Sequence, residues 1–462
     1  MRTRLSNAWY SAHSSFWFVP SVMTAAAIGL AVVLLALDEA AGIRSMVGFG
    51  TLQPDGARDI LSTIAGSMIT VAGVVFSITI VSLTLASSQF GSRILRTFMR
   101  DTGNQVVLGM FLATFVYCLL ILGAIRAETD DELFVPYISV AFGIILALAS
   151  LGVLIYFIHH VSASIQANSI VASVGQDLEG AINRLFPERL GRGPDDVRHP
   201  DQSQFDPAEF ERVARAVPSN SNGYLRTLNN EALMHLAKSN DLVIRIEYRP
   251  GDFIVHGNTV ALASPGAKVD SNLMEKINGV FILGRERTLE QDVAFVFNQL
   301  VEMAERALSP GINDAQTAMT CIDRIGAGLA QLADRQTPSS YRYDDEGVLR
   351  VIVMAENFED IAQKMLDRLR RSSQANATVM IHLLEMIRGV APHIRRSEGR
   401  SILVRQARVI HATSNDQLGQ EYDREAVSEA YDMTLAALIG HESSSTGDAE
   451  RTISPGAAGQ RK

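Results

Sequence analysis

Apolar and polar positions follow two different regimes along this chain. Within the first 160 residues, four windows contain no Asp, Glu, Lys, Arg or His: 16–37, 60–92, 102–125 and 133–158. A bilayer core about 30 Å thick is crossed by roughly 20 apolar residues in a helix, so each window is long enough to span. The pattern predicts transmembrane helices at 16–37, 60–88, 104–125 and 134–158, within a membrane domain of residues 1–160. The first run is long for a secretion signal and has no small-x-small cleavage site before a polar start, so it reads as an uncleaved anchor.

After residue 160 the apolar residues become periodic. Residues 161–186 predict a helix continuing from the fourth span, with Val171, Val174, Leu178, Ile182 and Leu185 on one side and Pro187 ending it. Residues 187–222 hold five of the fourteen prolines and read as a linker with one short helix at 207–216. Residues 223–283 read as a small β-rich unit. It has a strand at 223–228, a helix at 231–239, the alternating segment LVIRIEY at 242–248, and strands at 253–255 and 259–263 around a HGN turn. Residues 284–440 read as a helical region. Thr288 and Gln291 form a capping box, helices are expected at 357–371, 377–389, 401–412 and 421–439, and one hairpin lies at 341–354. The Ser/Gly-rich end, 441–462, reads as a disordered tail. The fold class is thus a multi-pass α-helical membrane protein, with four transmembrane helices and a mixed α/β, mainly helical C-terminal cytoplasmic domain.

Composition sharpens this division. The whole chain is 47% apolar and 20% charged, with a mean hydropathy of +0.13 and a net charge of −9. Residues 1–160 hold only 8 of the 41 basic and 9 of the 50 acidic residues, leaving the remainder at −8. A purely soluble enzyme, a disulfide scaffold and a disordered chain are excluded. An acidic soluble part without a dense basic block argues against nucleic acid as a partner. Loop charge sets orientation. Arg2 and Arg4 precede the first span and Arg93, Arg96 and Arg100 follow the second, whereas the other two loops are predominantly acidic. That places both termini in the cytoplasm.

Chemistry is sparse. No carboxylate pair, nucleophile–base set or phosphate loop stands out. Cys118 and Cys321 lack Cys or His neighbours at ligand spacing. The expectation is therefore no catalytic residue, no metal and no cofactor. His159 and His160, at the inner edge of the fourth span, read as interfacial.

Two polar features remain. The second span carries Thr63, Ser67, Thr70, Ser77, Thr84 and Ser88 at steps of 4, 3, 7, 7 and 4, which puts all six on one helix face. That face either packs closely on neighbouring helices or lines a polar path formed by several subunits. Gly66 and Gly73 lie on an adjacent face, and Gln89 and Arg93 extend the polar pattern toward the cytoplasm. In the cytoplasmic region Arg285, Arg287, Asp292, Asn313 and Asp314 flank a helix and the Ser-Pro-Gly break after it. They are either a polar ligand site or solvated charges with helix caps. The later arginines, Arg368, Arg370, Arg371, Arg395, Arg396, Arg400, Arg405 and Arg408, are interspersed with acids and read as a solvated or salt-bridged face.

The string RPGDFIVHGNTVALA resembles the strand-turn-strand of barrel-sandwich modules related to biotinyl and lipoyl carriers, but no lysine stands at its tip, so the unit reads as structural. Over most of its length the chain resembles the bacterial predicted-membrane-protein family known as domain-of-unknown-function family 2254. The strings SITIVSLTLASSQFGSRILRTFMRD, GYLRTL, RPGDFIVHG, RTLEQDVAF and RALSPGINDAQTA carry the resemblance, with Ala315 where proline is expected. The resemblance implies an inner-membrane location and no particular activity. Two functions are in view for a non-enzymatic, homo-oligomeric protein in the lipid bilayer. One is a channel-like or permeation protein with a cytoplasmic regulatory domain. The other is a membrane-anchored sensor or scaffold whose cytoplasmic domain binds a ligand or protein partner. The ion, small ligand or protein partner is not specified by the sequence.

Overall fold

Apolar runs of this length have no water to hydrogen-bond their backbone in a bilayer, so they must close their hydrogen bonds internally as helices. The computed structural model describes residues 16–41, 53–90, 101–125, 135–164, 166–186, 205–288, 291–335 and 337–440. The linker residues 187–204, the tail 441–462, Arg93 and most of the basic and acidic loop residues lie outside these. The chain divides into two units, residues 1–170 and 171–462.

The first unit contains α1 (Phe18–Ala41), α2 (Pro54–Phe90), α3 (Thr102–Ala124) and α4 (Tyr137–Ser164). All four are long and apolar enough to cross a membrane. α3 is the central helix and packs against the other three. Half of its apolar window is buried, against 17–22% for the others. Apolar side chains surround α3 on all sides, as a helix enclosed by partners requires. Tyr117, Cys118 and Ile121 of α3 pack with Ala31, Leu61 and Val140 of its neighbours. α2, at 37 residues, is about 55 Å long and exceeds the bilayer core.

Polar ties close the helix ends. Asp38, an acid assigned to a loop by the sequence pattern, sits in the last turn of α1 and is only 5% exposed. It accepts hydrogen bonds from the backbone N–H groups of Ile138 and Ser139, both at 2.9 Å, and from the Ser139 hydroxyl at 2.6 Å. Its charge thereby meets the positive end of α4. At the opposite end of the bundle, Asp101 caps α3 through Gly103 N–H (2.9 Å) and lies 2.6 Å from Nε2 of His160. His160 is thus paired within the bundle end.

At the end of the fourth span, residue 165 lies outside the described residues. α4 ends at Ser164 and α5 (Ala167–Leu185) follows. The predicted apolar face of α5 holds: Val171, Val174, Leu178 and Ile182 are buried. A Cβ on Gly328 would lie 2.5 Å from Leu178, so glycine is what lets these two segments meet.

In the second unit, α6 (Pro207–Val213) leads into β1 (Arg215–Pro218), β2 (Gly223–Leu228), α7 (Asn230–Ser239), β3 (Val243–Ile246), β4 (Phe253–Ile254), β5 (Thr259–Ser264), α8 (Ser271–Asn278) and β6 (Phe281–Gly284). There follow α9 (Val293–Ala307), α10 (Ala315–Asp334), β7 (Tyr341–Tyr343), β8 (Leu349–Ile352), α11 (Phe358–Ser373), α12 (Ala377–Val390), α13 (Ser397–Gln417) and α14 (Glu421–Gly440). One sheet has the order β1-β5-β3-β8-β7 and the other β4-β2-β6. β3 and β8 pair in parallel and all other pairs are antiparallel.

The barrel-sandwich hairpin does not form. β4 pairs with β2, whereas β5 pairs with β1 and β3, so the two strands around the HGN turn belong to different sheets. The sheet also recruits the hairpin β7–β8 from more than 75 residues downstream. A core of Leu225, Ile244, Ile246, Val260, Ile277 and Val351 joins both sheets with α7 and α8. The later helices pack in a ring, each against the next, in the order α9-α10-α12-α14-α13-α11 and back to α9.

Candidate functional site

The six hydroxyl residues of α2 share one face, and that face is turned outward on the protomer. Thr63, Ser67, Thr70, Ser77, Thr84 and Ser88 are all exposed. The opposite side, with Ala57, Leu61, Ala65, Ala72, Val75, Thr79, Ser82 and Ala86, is buried against the rest of the bundle. Among the described residues of the first unit, none packs on the hydroxyl face. Four of its hydroxyls donate to carbonyls of their own helix: Ser67 to Thr63 (2.7 Å), Thr70 to Gly66 (2.8 Å), Thr84 to Ile80 (2.9 Å) and Ser88 to Leu85 (2.8 Å). With the donor turned back, the oxygen lone pairs face outward as acceptors. Among the described residues, nothing lies within 4 Å of where a Cβ on Gly66 or Gly73 would stand.

The candidates in the second unit separate into two places. Asp292 caps α9, accepting from Phe295 N–H at 2.8 Å, and is 2% exposed. Its other oxygen takes two donors from Arg287, Nε at 2.9 Å and an Nη at 2.6 Å. Burial pushes the Asp292 carboxyl up, and the Arg287 charge and hydrogen bonds oppose that rise. The expected Thr288–Gln291 capping box is not used. Asp292 brings a full charge to the helix end, where it caps better than a hydroxyl supported by an amide. Gln291 instead clamps β2, accepting from Leu228 N–H at 3.0 Å and donating to the Leu228 carbonyl at 3.3 Å.

Asn313 and Asp314 stand beyond the far end of α9, a 15-residue helix and so about 22 Å from its cap. Asp314 caps α10 through Thr317 N–H (3.0 Å) and the Thr317 hydroxyl (2.6 Å). Asn313 takes a left-handed backbone, φ 49°. They form a helix-helix corner and do not reach the Arg287–Asp292 pair. Arg285 is exposed.

Three residues not selected from the sequence complete the Arg287–Asp292 site. Gly251, in the RPGD turn, has φ +96°, and a Cβ there would fall 2.1 Å from Asp292 Oδ2. Only glycine fits against the pair. Arg249 reaches Asp360 of α11 at 3.2 Å, and its Nε is buried without a hydrogen-bond partner. Glu356, between β8 and α11, is pushed up to about 7. Burial is the largest cause and the negative charge of Asp292 adds to it, while Lys364, Arg249 and Arg287 oppose. The RPGD turn is itself fixed to β2 by Gly251 N–H to the Leu225 carbonyl (2.7 Å) and Leu225 N–H to the Asp252 carbonyl (2.8 Å). Three of the diagnostic strings, GYLRTL, RPGDFIVHG and RTLEQD, thus meet at one ionic cluster around the buried Asp292.

The family model described as "Predicted membrane protein (DUF2254)" matches residues 13–389. The chain belongs to this family. It is similar to the uncharacterized proteins Rv1290c of Mycobacterium tuberculosis and Mb1321c of Mycobacterium bovis. Each is 30% identical, over 89% of this chain and 78% of the relative. No solved structure matches. The family match covers the four spans, both sheets and the cluster around Asp292; α13 and α14 lie beyond it. The RPGD and RTLEQD strings were visible in the sequence as separate motifs. Glu356 had no such mark, because it follows an ordinary strand and joins the others only through the fold.

Proposed function

We propose that this family member is a homo-oligomeric, channel-like protein of the inner membrane, with the second unit on the cytoplasmic side as a regulatory domain. One observation carries the reading: the polar face of α2 points away from its own protomer. Hydroxyl and glycine surface is poorly used against lipid and well used against another helix or water. Association of copies through α2 would bring the outward oxygens together along a shared path, where lone pairs suit a cation. The basic N-terminus and the basic stretch 93–100 support cytoplasmic termini. The reading assigns no catalysis. Cys321, one of two thiols, is buried and pushed up to about 12, mainly by burial, which removes it as a nucleophile.

The test is flux through liposomes carrying the purified full-length protein. Ser77→Leu and Thr84→Leu are expected to alter cation flux while the oligomer persists. Absence of flux in the unaltered protein, or indifference to both substitutions, overturns the reading.

The alternative is a membrane-anchored sensor, favoured by the partly buried Glu356 and its neighbours where β2, the RPGD turn and α9 meet. Hydrogen exchange at residues 249–257 and 287–292 of the full chain is then expected to change between mildly acidic and mildly alkaline pH. Glu356→Gln is expected to abolish that change. A profile independent of pH sinks the alternative.

A further inference from the structure

The sequence pattern reads the arginines near the C-terminus as a solvated or salt-bridged face. The structure separates three of them from that description. Arg400, Arg405 and Arg408 lie on one face of α13 and, with Ser397, Ser401, Val404, Leu438 and Ile439, line a cavity of about 410 Å³ between α13 and the end of α14. Among the described residues no carboxylate lines it. Other arginines of the region are engaged: Arg368 with Glu305, Arg395 with Asp334, and Arg388 with Glu385. Arg405 and Arg408 are exposed and have no ion pair among the described residues. They stand three apart on a helix, where like charges repel, so α13 carries an unfavourable pairing that an anion between them relieves. Arg400 is held in place at the cavity wall, donating to the carbonyls of Leu438 (2.5 Å) and Ile394 (3.4 Å). Glu398, the nearest acid in sequence, accepts from Ser397 at 3.2 Å and from its own backbone N–H, which holds its carboxyl below the usual range.

We propose that this cavity binds a phosphate group borne by a molecule with an apolar portion. Guanidinium groups match phosphate oxygens in charge and in fork geometry, and the serine hydroxyls add donors. Val404, Leu438 and Ile439 supply the apolar surface that a bare inorganic anion does not use. A soluble phosphate ester and the headgroup of an anionic phospholipid share this chemistry. The site is independent of any permeation path along α2.

The experiment uses the full-length protein and two probes. Inorganic pyrophosphate is titrated calorimetrically into detergent-solubilised protein. Separately, retention of phosphatidylglycerol is followed by native mass spectrometry after reconstitution in mixed nanodiscs with phosphatidylcholine. At least one probe is expected to bind, more weakly as salt is raised. The R405Q/R408Q double variant is expected to lose affinity about tenfold or more, while R395Q, outside the cavity, retains it. Selective retention of the lipid assigns a headgroup, and pyrophosphate binding without it assigns a soluble ester. Failure of both probes, or equal binding by the double variant with its helices intact by circular dichroism, overturns the proposal. Neither result depends on whether the protein conducts ions.

Discussion

Asp292 does two jobs with two oxygens, one for the α9 N-terminus and one for Arg287. Replacing it with alanine removes a cap and strands a largely covered guanidinium, at a cost of about 2–4 kcal/mol. Asp314→Ala loses a cap and a hydroxyl bond on a more open corner, at about 1 kcal/mol. Unfolding of the full-length protein, followed by hydrogen exchange in α9 and α10, checks both. Gly251→Ala belongs with Asp292, because its new Cβ would enter the carboxylate. Glu356 makes the region sensitive to pH. Its folded value, about 7, lies above the ordinary 4.5, so the folded state holds the proton more tightly. The stability this contributes is complete below about 4.5 and is lost as pH rises through about 7. The full loss is about 3 kcal/mol. Exchange protection of β2 and α9 is expected to fall over that interval, and Glu356→Gln to flatten it. A wild-type profile as flat as the variant's would refute this account of the cluster.

At the scale of elements, α2 carries two faces with different partners. Substitutions on the inner face act on the protomer. Ala72, 3% exposed, has no room for a larger side chain, and Ala72→Leu is expected to destabilise the membrane unit by about 1–3 kcal/mol. Ser77→Leu and Thr84→Leu, on the exposed face, are expected to leave the melting temperature of the detergent-solubilised protomer unchanged. If the outer substitutions destabilise the protomer as much as the inner one, the division of α2 into two faces is wrong. Element types were largely legible in advance: β2 spans the expected 223–228, and α11, α12 and α14 begin within a residue of their periodic patterns. Strand pairing was less so. The segments 253–255 and 259–263 looked like a local hairpin, yet β5 gains more ladder from β1 and β3 than from its sequence neighbour. Local alternation states that a strand has a buried face, not which strand lies beside it.

At the scale of the whole molecule, the chain is four apolar helices followed by an acidic unit of two sheets and a ring of helices. A reporter fused after Lys462 tests the proposed topology. One that requires the periplasm is expected to stay inactive and a cytoplasmic one to be active, and the reverse result overturns the orientation. The spans could be read without a structure because the bilayer acts on each segment separately. Twenty uncharged residues partition as a helix whatever follows them.

The sequence by itself determined the number of spans, the acidic character of the second unit, its helical content and the hydroxyl stripe of α2. Each is a property of contiguous residues, set by local hydrophobicity, charge or a 3.6-residue period. Tertiary structure alone decided that the stripe faces outward. It also gathered Gly251, Arg287, Asp292 and Glu356 into one cluster and left Arg405 and Arg408 beside a cavity lined, among the described residues, by no acid. These depend on which surfaces the folded chain covers. Gly251 comes against Asp292, and Glu356 within reach of its charge, only through the folding of segments distant in the chain.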